Sequence, residues 1–421
     1  MKDILGEAEC KMTKLTDKKS VQLLTILSWM IYFSSYVTRI NYGAIIVEFV
    51  ASEGVMKSAA SIITSVLFVT YGVGQLLSGF LGDRISPRKL ITVGLTIAVA
   101  CNLLMPLCSP QISVMAVIWG LNGLAQALMW PPLVKILTSA LTMEDYARIV
   151  PGISTSSACA TIAIYLISPL IIGLSGWKMV FYVCAATAFA AVIIWTVCSK
   201  KLLSGVDFNL GNKNKATKQT EQAANSADKA LWLLMPVILL TISVQGMLRD
   251  GITTWMPTYI SETFNIGSSI SILTGVALPV FHMIVSLCTY GILKKMKYNV
   301  FNCMAMFFSV AAVLLLVLNL FGTSSMLVAT VLIAMCIGAV HGINTLQTCY
   351  LPTMFKGQDK VSFLAGLLNS ATYVGSALST YLFAIISEQW GWNATLLSWL
   401  LAAAAGLLLT LVCTAALKKN K

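Results

Sequence analysis

Apolar runs long enough to cross a membrane recur along almost the whole chain. A helix needs about 20 mostly apolar residues to span the hydrocarbon core of a bilayer. Reading for such runs gives about twelve, at 21–50, 57–82, 89–108, 112–140, 147–174, 177–199, 231–262, 268–292, 299–321, 325–350, 361–387 and 393–417. Because lipid offers the backbone no hydrogen bonds, each run is predicted to be helical. The pattern predicts an all-α integral membrane protein.

The composition agrees with lipid as the main solvent. Hydrophobic residues make up 57% of the 421 residues and charged residues 10%, against about 25% charged residues in soluble domains. The first 20 residues are polar and lysine-rich, and the apolar run behind them is too long for a cleavable signal peptide. That run is therefore predicted to be the first transmembrane helix.

The distribution of basic residues predicts the orientation. With both termini in the cytoplasm, 23 of the 28 Lys and Arg fall on the cytoplasmic side, two (Lys57 and Lys178) lie outside and three lie within helices. This is the bias that the positive-inside rule requires. The net charge of +12 is thus mainly a topological signal, which anionic lipid headgroups also suit. It does not indicate nucleic-acid binding.

A hydrophilic segment divides the chain into two similar halves. The predicted organisation is a cytoplasmic tail at 1–20, a six-helix bundle at 21–199, a flexible linker at 200–230, a second bundle at 231–417 and a tail at 418–421. Arg39 and Arg249 lie 210 residues apart, and Gly176-Trp177 recurs as Gly391-Trp392. Similar offsets at several places favour a duplication, with the two bundles arranged around a central site.

The two arginines give the sharpest functional signal. A charged residue inside a membrane helix costs about 2.5 kcal/mol or more and usually faces a cavity or a partner. Arg39 and Arg249 occupy equivalent positions, so pseudo-symmetry places them on opposite walls of a central cavity, where two guanidinium groups suit a phosphate or carboxylate. Asp250 is expected to point about 100° away from Arg249. Glu48 and Glu262, near helix ends, are expected in water.

The segment after the second run contains a known signature. Residues 79–89 read GFLGDRISPRK, which resembles the G-x-L-x-D-R-x-x-x-R-K loop of the major facilitator superfamily. This resemblance implies twelve helices in two pseudo-symmetric bundles. An acidic residue here can pair across the halves and hold one conformation, so Asp83, Arg84 and Arg88 are predicted as conformational-switch residues.

Further segments resemble one family of that superfamily, the organophosphate:phosphate antiporters. The matching segments, in chain order, are Tyr36–Tyr42, Ser86–Arg88, Gln126–Pro132, Arg249–Tyr259 and the eleventh helix as far as Gly391-Trp392. The resemblance implies the exchange of a phosphorylated metabolite for inorganic phosphate, with Arg39 and Arg249 binding the phosphoryl group.

Two family features are missing, and both bear on the substrate. A helix-2 lysine of the family falls at Gln75, and a helix-5 histidine falls at about Ser157. These replacements remove positive or titratable character from the predicted cavity, so a carboxylate substrate stays open beside a phosphate ester.

The remaining predicted binding residues are polar and aromatic side chains on the predicted helices. His341, with Asn344 and Gln347, forms a possible polar stripe on helix 10. The full predicted site comprises Arg39, Arg249, Tyr36, Tyr42, Gln75, Gln126, Ser157, Trp255, His282 and His341.

Three functions fit these features. The first is the antiporter already described, the second is a proton- or sodium-coupled symporter of an organic carboxylate such as a sugar acid, and the third is a non-transporting sensor of a phosphorylated ligand. The sequence contains no Walker A pattern, no metal-ligand spacing and no catalytic constellation. We therefore expect no enzymatic activity, no cofactor and no metal. The expected partners are a small anionic substrate and membrane lipid, and the expected state is a monomer in the cell membrane.

Overall fold

The structure is a computed structural model that describes residues 15, 17–204, 206, 231–351, 354 and 361–419. The helices of the first half are α1 (Lys18–Glu53), α2 (Lys57–Arg84), α3 (Pro87–Leu104), α4 (Ile112–Ala140), α5 (Met143–Ser175) and α6 (Trp177–Leu202). Those of the second half are α7 (Met235–Phe264), α8 (Ser268–Lys295), α9 (Val300–Phe321), α10 (Met326–Tyr350), α11 (361–390) and α12 (392–419).

The helices have the length and surface of membrane-spanning segments. Among the described residues, 11 helices are long and apolar enough to cross a bilayer. The last of them is broken at Gly391, where the backbone has φ 74°, and dividing it there gives twelve helices. Large apolar side chains such as Leu174, at 86% exposure, and Leu287, at 78%, point outward. Lipid removes the cost that such surfaces have in water. The predicted all-α membrane fold is confirmed.

Three helices depart locally from regular α-helical geometry. The α-helical hydrogen bonding of α4 is interrupted at Leu128 and Met129, directly before Pro131 and Pro132, since proline lacks a backbone N–H and its ring clashes with the preceding turn. A π-helical turn occupies Met247–Gly251 in α7, and another occupies Leu346–Tyr350 in α10. Such turns often mark functional sites, and the first contains Arg249.

The twelve helices pack as two six-helix bundles. In the first bundle, α1 packs on α5 and α6, α2 on α4, and α3 on α4 and α6. In the second, α7 packs on α11, α8 on α10, and α9 on α10 and α12. The bundles meet through α2 with α11, α5 with α8, and α1 with α7. The predicted tail boundary at residue 20 falls inside α1, whereas most of the predicted linker, 207–230, lies outside the described residues.

The same corner recurs in both halves and supports the duplication. Gly176 and Gly391 both have positive φ, 79° and 74°, at the break between the fifth and sixth helix of each half. The tryptophan that follows donates its indole N–H to a glutamate at the end of the first helix. Trp177 donates to Glu53 at 3.2 Å, and Trp392 donates to Glu262 at 2.8 Å.

A group of polar contacts, here named the clasp, joins the bundles where α1 ends and α2 begins. The Lys57 ammonium pairs with Glu262 at 2.8 Å and lies 5.1 Å from the centre of the Trp392 ring. The Ser58 amide donates to Glu388 at 3.0 Å, and the Ser268 hydroxyl donates to Glu48. Both glutamates join one bundle to the other. Glu262 is exposed, as expected, whereas Glu48 is half-buried, so the expectation that Glu48 lies in water is wrong.

Candidate functional site

A cavity of about 230 Å³ lies between the two bundles at mid-height. It is lined by α1, α2, α4 and α5 from the first bundle and by α7, α8, α10 and α11 from the second. A site near the middle of the membrane between two repeated bundles is the usual arrangement in secondary transporters.

Arg39 enters the cavity from α1 and is held by aromatic rings. Its guanidinium carbon lies 4.1 Å from the centre of the Tyr36 ring and 5.0 Å from that of Tyr71. Within the part of the chain that the structure describes, no carboxylate forms an ion pair with this guanidinium. The rings attract the cation without neutralising its charge, so Arg39 stays available to bind an anion.

Arg249 faces the same cavity from α7 but has a carboxylate partner. Its Nε donates to Asp250 Oδ1 at 2.9 Å and its Nη2 to Asp250 Oδ2 at 2.6 Å, while Nη1 donates to Asn344 Oδ1 at 2.9 Å. The expectation that Asp250 points away from Arg249 is wrong. The long arginine side chain reaches sideways along the π-helical turn to the carboxylate of the next residue.

Two tyrosines connect the arginines across the bundle interface. Tyr373 of α11 lies with its ring centre 5.3 Å from the Arg249 guanidinium carbon and 4.6 Å from the ring centre of Tyr71 on α2. Tyr71 in turn contacts Arg39. The order Arg39, Tyr71, Tyr373, Arg249 is therefore a continuous chain of cation–ring and edge-on ring contacts, which places both cations on one cavity.

The second bundle adds neutral hydrogen-bonding groups. The imidazole rings of His282 on α8 and His341 on α10 stack with centres 3.6 Å apart. Both rings line the cavity beside Asn344. The Nδ1 atom of His341 is buried and has no hydrogen-bond partner within the described residues. This wall offers polar atoms without a fixed charge.

The cavity includes six of the ten predicted binding residues. Those that line it are Tyr36, Arg39, Ser157, Arg249, His282 and His341.

The other four predicted binding residues do not line the cavity; they are Tyr42, Gln75, Gln126 and Trp255. The Tyr42 hydroxyl donates to the Ala60 carbonyl inside the first bundle, and the Trp255 indole donates to the Thr380 carbonyl inside the second. Gln126 hydrogen-bonds with Ser35 and Thr38. Gln75 on α2 does not line the cavity, and its Nε2 is buried without a partner in the described region.

The interactions of Gln126 hold α1 in place. Its amide binds Ser35 and Thr38, and Asn122, one turn earlier on α4, donates to the Thr38 carbonyl at 2.9 Å. Asn41 donates to Asn102 on α3 at 2.7 Å. These bonds fix the rotation of α1 about its axis on both sides of Arg39, so that Arg39 faces the cavity.

The predicted switch residues lie at the other end of α2 from the clasp. The side chain of Asp83 lies outside the described part of the structure. Arg84 is exposed at the last position of α2, and Arg88 is half-buried in the first turn of α3. Their role in switching stays a prediction.

Sequence reasoning missed Tyr373 and the partnership of Asp250 with Arg249. Tyr373 lies among small residues of an apolar helix, where an aromatic side chain is most often a packing residue. The helix that contains it, α11, is the equivalent of α5 in the first half. Tyr373 carries no charge that would distinguish it from a packing residue. Asp250 carried a signal, because it is an acid inside an apolar run. Sequence reasoning set it aside because neighbouring residues on a regular helix point about 100° apart.

Comparison with known proteins identifies the family of this chain. Residues 28–354 match the family described as Major Facilitator Superfamily. The chain belongs to the Major Facilitator Superfamily. It is similar to a probable hexose phosphate transport protein of Chlamydia pneumoniae, with 31% identity over 152 residues, 36% of this chain and 33% of that protein.

Two further relatives match longer segments. The glycerol-3-phosphate transporter of Bacillus subtilis is 22% identical over 55% of each chain. The membrane sensor protein UhpC of Salmonella typhimurium is 23% identical over 60% of this chain and 61% of its own. The matched segments thus span from a third to about three fifths of these relatives. Their names confirm the resemblance to the organophosphate:phosphate antiporter type.

Solved structures show the same fold. A peptide transporter POT in complex with sulfate superposes with a TM-score of 0.76 at 12% identity, covering 98% of this chain and 97% of that one. A bacterial homologue of the human lysosomal transporter Spinster, inward-facing and unoccupied, gives 0.73 at 10% identity, with 96% and 97% covered. These similarities support the fold and say nothing of the substrate.

Proposed function

We propose that this transporter carries a phosphorylated metabolite and exchanges it for inorganic phosphate. The observation that supports this most directly is the pair of arginines on opposite walls of one cavity, joined through Tyr71 and Tyr373. Guanidinium groups bind phosphate oxygens through paired N–H donors. The similarity to hexose phosphate and glycerol-3-phosphate transporters favours a phosphate ester over a carboxylate.

Each wall has its own part in binding. Arg39 presents its guanidinium, which has no carboxylate partner among the described residues, to the phosphoryl group from the first bundle. Arg249 presents its remaining Nη hydrogens from the second. Asn344, His282 and His341 line the wall beside Arg249 and supply hydrogen bonds to the organic part of the substrate. Binding then connects both bundles through one anion.

Electrostatics gives a mechanism of alternating access, in which the bundles rock about the site. Two positive charges about 10 Å apart repel by about 1.7 kcal/mol at an effective dielectric near 20. A bound anion removes this repulsion and bridges the bundles, so the loaded carrier changes conformation more readily than the empty one. Asp250 cancels part of the repulsion in the empty site, and exchange is therefore less strictly enforced than with two unpaired arginines.

The carboxylate of Asp250 favours a second function. Asp250 places a carboxylate beside the anion site, and its side chain is 18% exposed. Acidic residues inside membrane spans often belong to proton relays or ion pathways, which suits a proton-coupled symporter of an organic anion. The third function is a sensor of a phosphorylated ligand. The test includes this outcome because the chain is similar to a membrane sensor protein.

The test is exchange in proteoliposomes that contain the purified protein. The vesicles are loaded with inorganic phosphate, and labelled phosphate is added outside with glycerol 3-phosphate, hexose phosphates or simple carboxylates as competitors. The control variant is Arg148→Ala, which removes an exposed ion pair with Glu144 at the start of α5 and is expected to exchange normally.

Saturable phosphate exchange that one ester inhibits supports the antiporter. Uptake that instead requires an imposed proton or sodium gradient supports the symporter and rejects exchange. Ligand-dependent thermal stabilisation of a folded protein that moves nothing supports the sensor, since binding without transport is what a sensor requires.

A further inference from the structure

The charge of Arg249 is already partly neutralised by the next residue of its own helix. Asp250 occupies its Nε and one Nη2 hydrogen at 2.9 and 2.6 Å, and Asn344 occupies one Nη1 hydrogen. The arginine and aspartate side chains are 10% and 18% exposed. An ion pair with so little water around it is a lasting part of the site rather than a surface contact.

Asp250 is also held from another helix. The buried hydroxyl of Ser376 on α11 donates to Asp250 Oδ2 at 2.5 Å, and α11 crosses α7 closely at this point. Both carboxylate oxygens thus accept hydrogen bonds, Oδ1 from Arg249 and Oδ2 from Arg249 and Ser376. The titratable and charged groups that face this pair or share its cavity are Arg39 and Tyr36 on α1, Tyr71 on α2, Tyr165 on α5, His282 on α8, His341 on α10 and Tyr373 on α11.

The charge of the cavity follows from these residues. Two arginines and one aspartate leave a single net positive charge when both histidines are neutral. A singly charged anion makes such a site neutral, whereas a doubly charged anion leaves an excess negative charge in surroundings that stabilise it poorly. The second charge of a dianion would also lie next to the carboxylate of Asp250.

We propose that Asp250 is a specificity-determining residue that makes this site select singly charged tetrahedral anions, including the monoanionic form of a phosphate ester. This inference rests on the proposed function, because it concerns the same cavity and the same arginines. It adds that the transported species is the protonated minority form, since a phosphate monoester loses its second proton near pH 6.

Two anions that do not titrate near neutral pH test the proposal without a change of pH. Methyl sulfate has one charge and sulfate has two, and both have tetrahedral oxygen geometry. In the wild type, methyl sulfate should inhibit labelled phosphate exchange at a lower concentration than sulfate. In Asp250→Asn the amide oxygen can still accept from Arg249, but the charge is gone, and the preference should shift toward sulfate by at least about tenfold.

Phosphate itself gives an independent readout. Because the monoanion is consumed as pH rises, the apparent affinity of the wild type should fall about tenfold per pH unit above the second phosphate pKa. In Asp250→Asn the affinity should level off, since the site then accepts the dianion. The matched control is Glu144→Gln, which removes one negative charge from an exposed position and should leave the anion preference as in the wild type.

The outcomes separate this proposal from the proposed function. Stabilisation of the purified protein by each anion measures preference without transport, so absence of exchange would reject the antiporter and leave the preference measurable. A wild-type protein that prefers sulfate overturns the selectivity proposal even if Asp250→Asn fails to fold. A folded Asp250→Asn variant whose preference equals that of the wild type shows that Asp250 only positions Arg249.

Discussion

At the scale of single residues, the two arginines are expected to be indispensable. A hydrogen bond to a charged group contributes about 1.5–3 kcal/mol, so Arg39→Ala and Arg249→Ala should each reduce phosphate exchange by about 10- to 150-fold or more. The lysine variants keep the charge but lose the planar fork that holds two oxygens, and they should retain intermediate activity. Initial rates of labelled phosphate exchange at several concentrations measure both effects.

The same assay contains its control. Arg148→Ala removes a guanidinium of 69% exposure from the surface and should exchange at the wild-type rate. Near-normal exchange by Arg39→Ala or Arg249→Ala in folded protein would contradict the placement of the anion between the bundles.

The two tyrosines between the arginines give a second residue-scale prediction. Tyr71→Phe and Tyr373→Phe keep the ring that faces each guanidinium, and exchange should be close to normal. The alanine variants lose a cation–π contact of about 1–2 kcal/mol, which should weaken substrate binding about 5- to 30-fold. Competition by unlabelled phosphate measures the affinity. Equal losses in the phenylalanine and alanine variants would show that the hydroxyl group matters and the ring does not.

Sequence alone identifies Arg39 and Arg249 because a charge in a long apolar run is costly and rare. It does not identify Tyr373, whose ring contributes through two neighbours that come from other helices. Nor does it place Asp250, because a helical wheel gives the direction of a Cβ atom and says nothing of where a long arginine side chain ends. Gln126 shows the converse, since a polar residue in an apolar helix here supports α1 rather than the substrate.

At the scale of helices, the crossing of α7 and α11 depends on two glycines. A methyl group added at Gly246 would overlap the backbone of Thr372, and one added at Gly375 would overlap the backbone of Ser243. Backbone atoms cannot turn aside as side chains do. Gly246→Ala and Gly375→Ala should therefore each destabilise the protein by about 1–3 kcal/mol, visible as a lower melting temperature in detergent.

Gly291 on α8 is the matched control for these variants. A methyl group added there meets nothing within 4 Å, and alanine is the better helix former by about 1 kcal/mol. Gly291→Ala should melt at or slightly above the wild-type temperature. If Gly246→Ala and Gly375→Ala melt like Gly291→Ala, the close crossing of α7 and α11 is not required for stability.

Helix positions follow from the sequence more readily than helix irregularities do. Apolar length sets where each helix begins and ends, because the bilayer thickness is fixed. The interruption of α4 also follows, since Pro131 and Pro132 each lack a backbone N–H. The π-helical turns at Met247–Gly251 and Leu346–Tyr350 contain no proline, and they depend on contacts with neighbouring helices that the local sequence does not encode.

At the scale of the whole molecule, the duplication could be predicted and the contacts between bundles could not. The similar spacing of Arg39 and Arg249 and of the two Gly-Trp corners already indicates two related halves. The clasp joins residues more than 200 positions apart, as in Lys57 with Glu262. Such pairs depend on which conformation the bundles adopt, and a sequence encodes all of the conformations of a transporter at once.

The clasp is expected to favour the conformation closed at the end where α1 meets α2. Lys57 is 12% exposed and its partner Glu262 is 42% exposed, so water screens the pair and its contribution is about 1 kcal/mol or less. Lys57→Ala should therefore shift the balance toward opening at this end by up to about fivefold. Hydrogen–deuterium exchange over residues 50–60 and 384–394 should become faster, since opening exposes these helix ends.

A charge swap distinguishes the ion pair from the mere presence of a lysine. Lys57→Glu alone places two carboxylates together with Glu262 and should accelerate exchange in these segments more than Lys57→Ala does. Adding Glu262→Lys restores opposite charges and should return hydrogen–deuterium exchange toward the wild-type rate. The recovery should be incomplete, because Trp392 contacts both side chains and its contacts are changed by the swap. If hydrogen–deuterium exchange in the double variant is as fast as in Lys57→Glu, the pairing of these charges does not hold the bundles together. Closure then depends on the remaining contacts of the clasp.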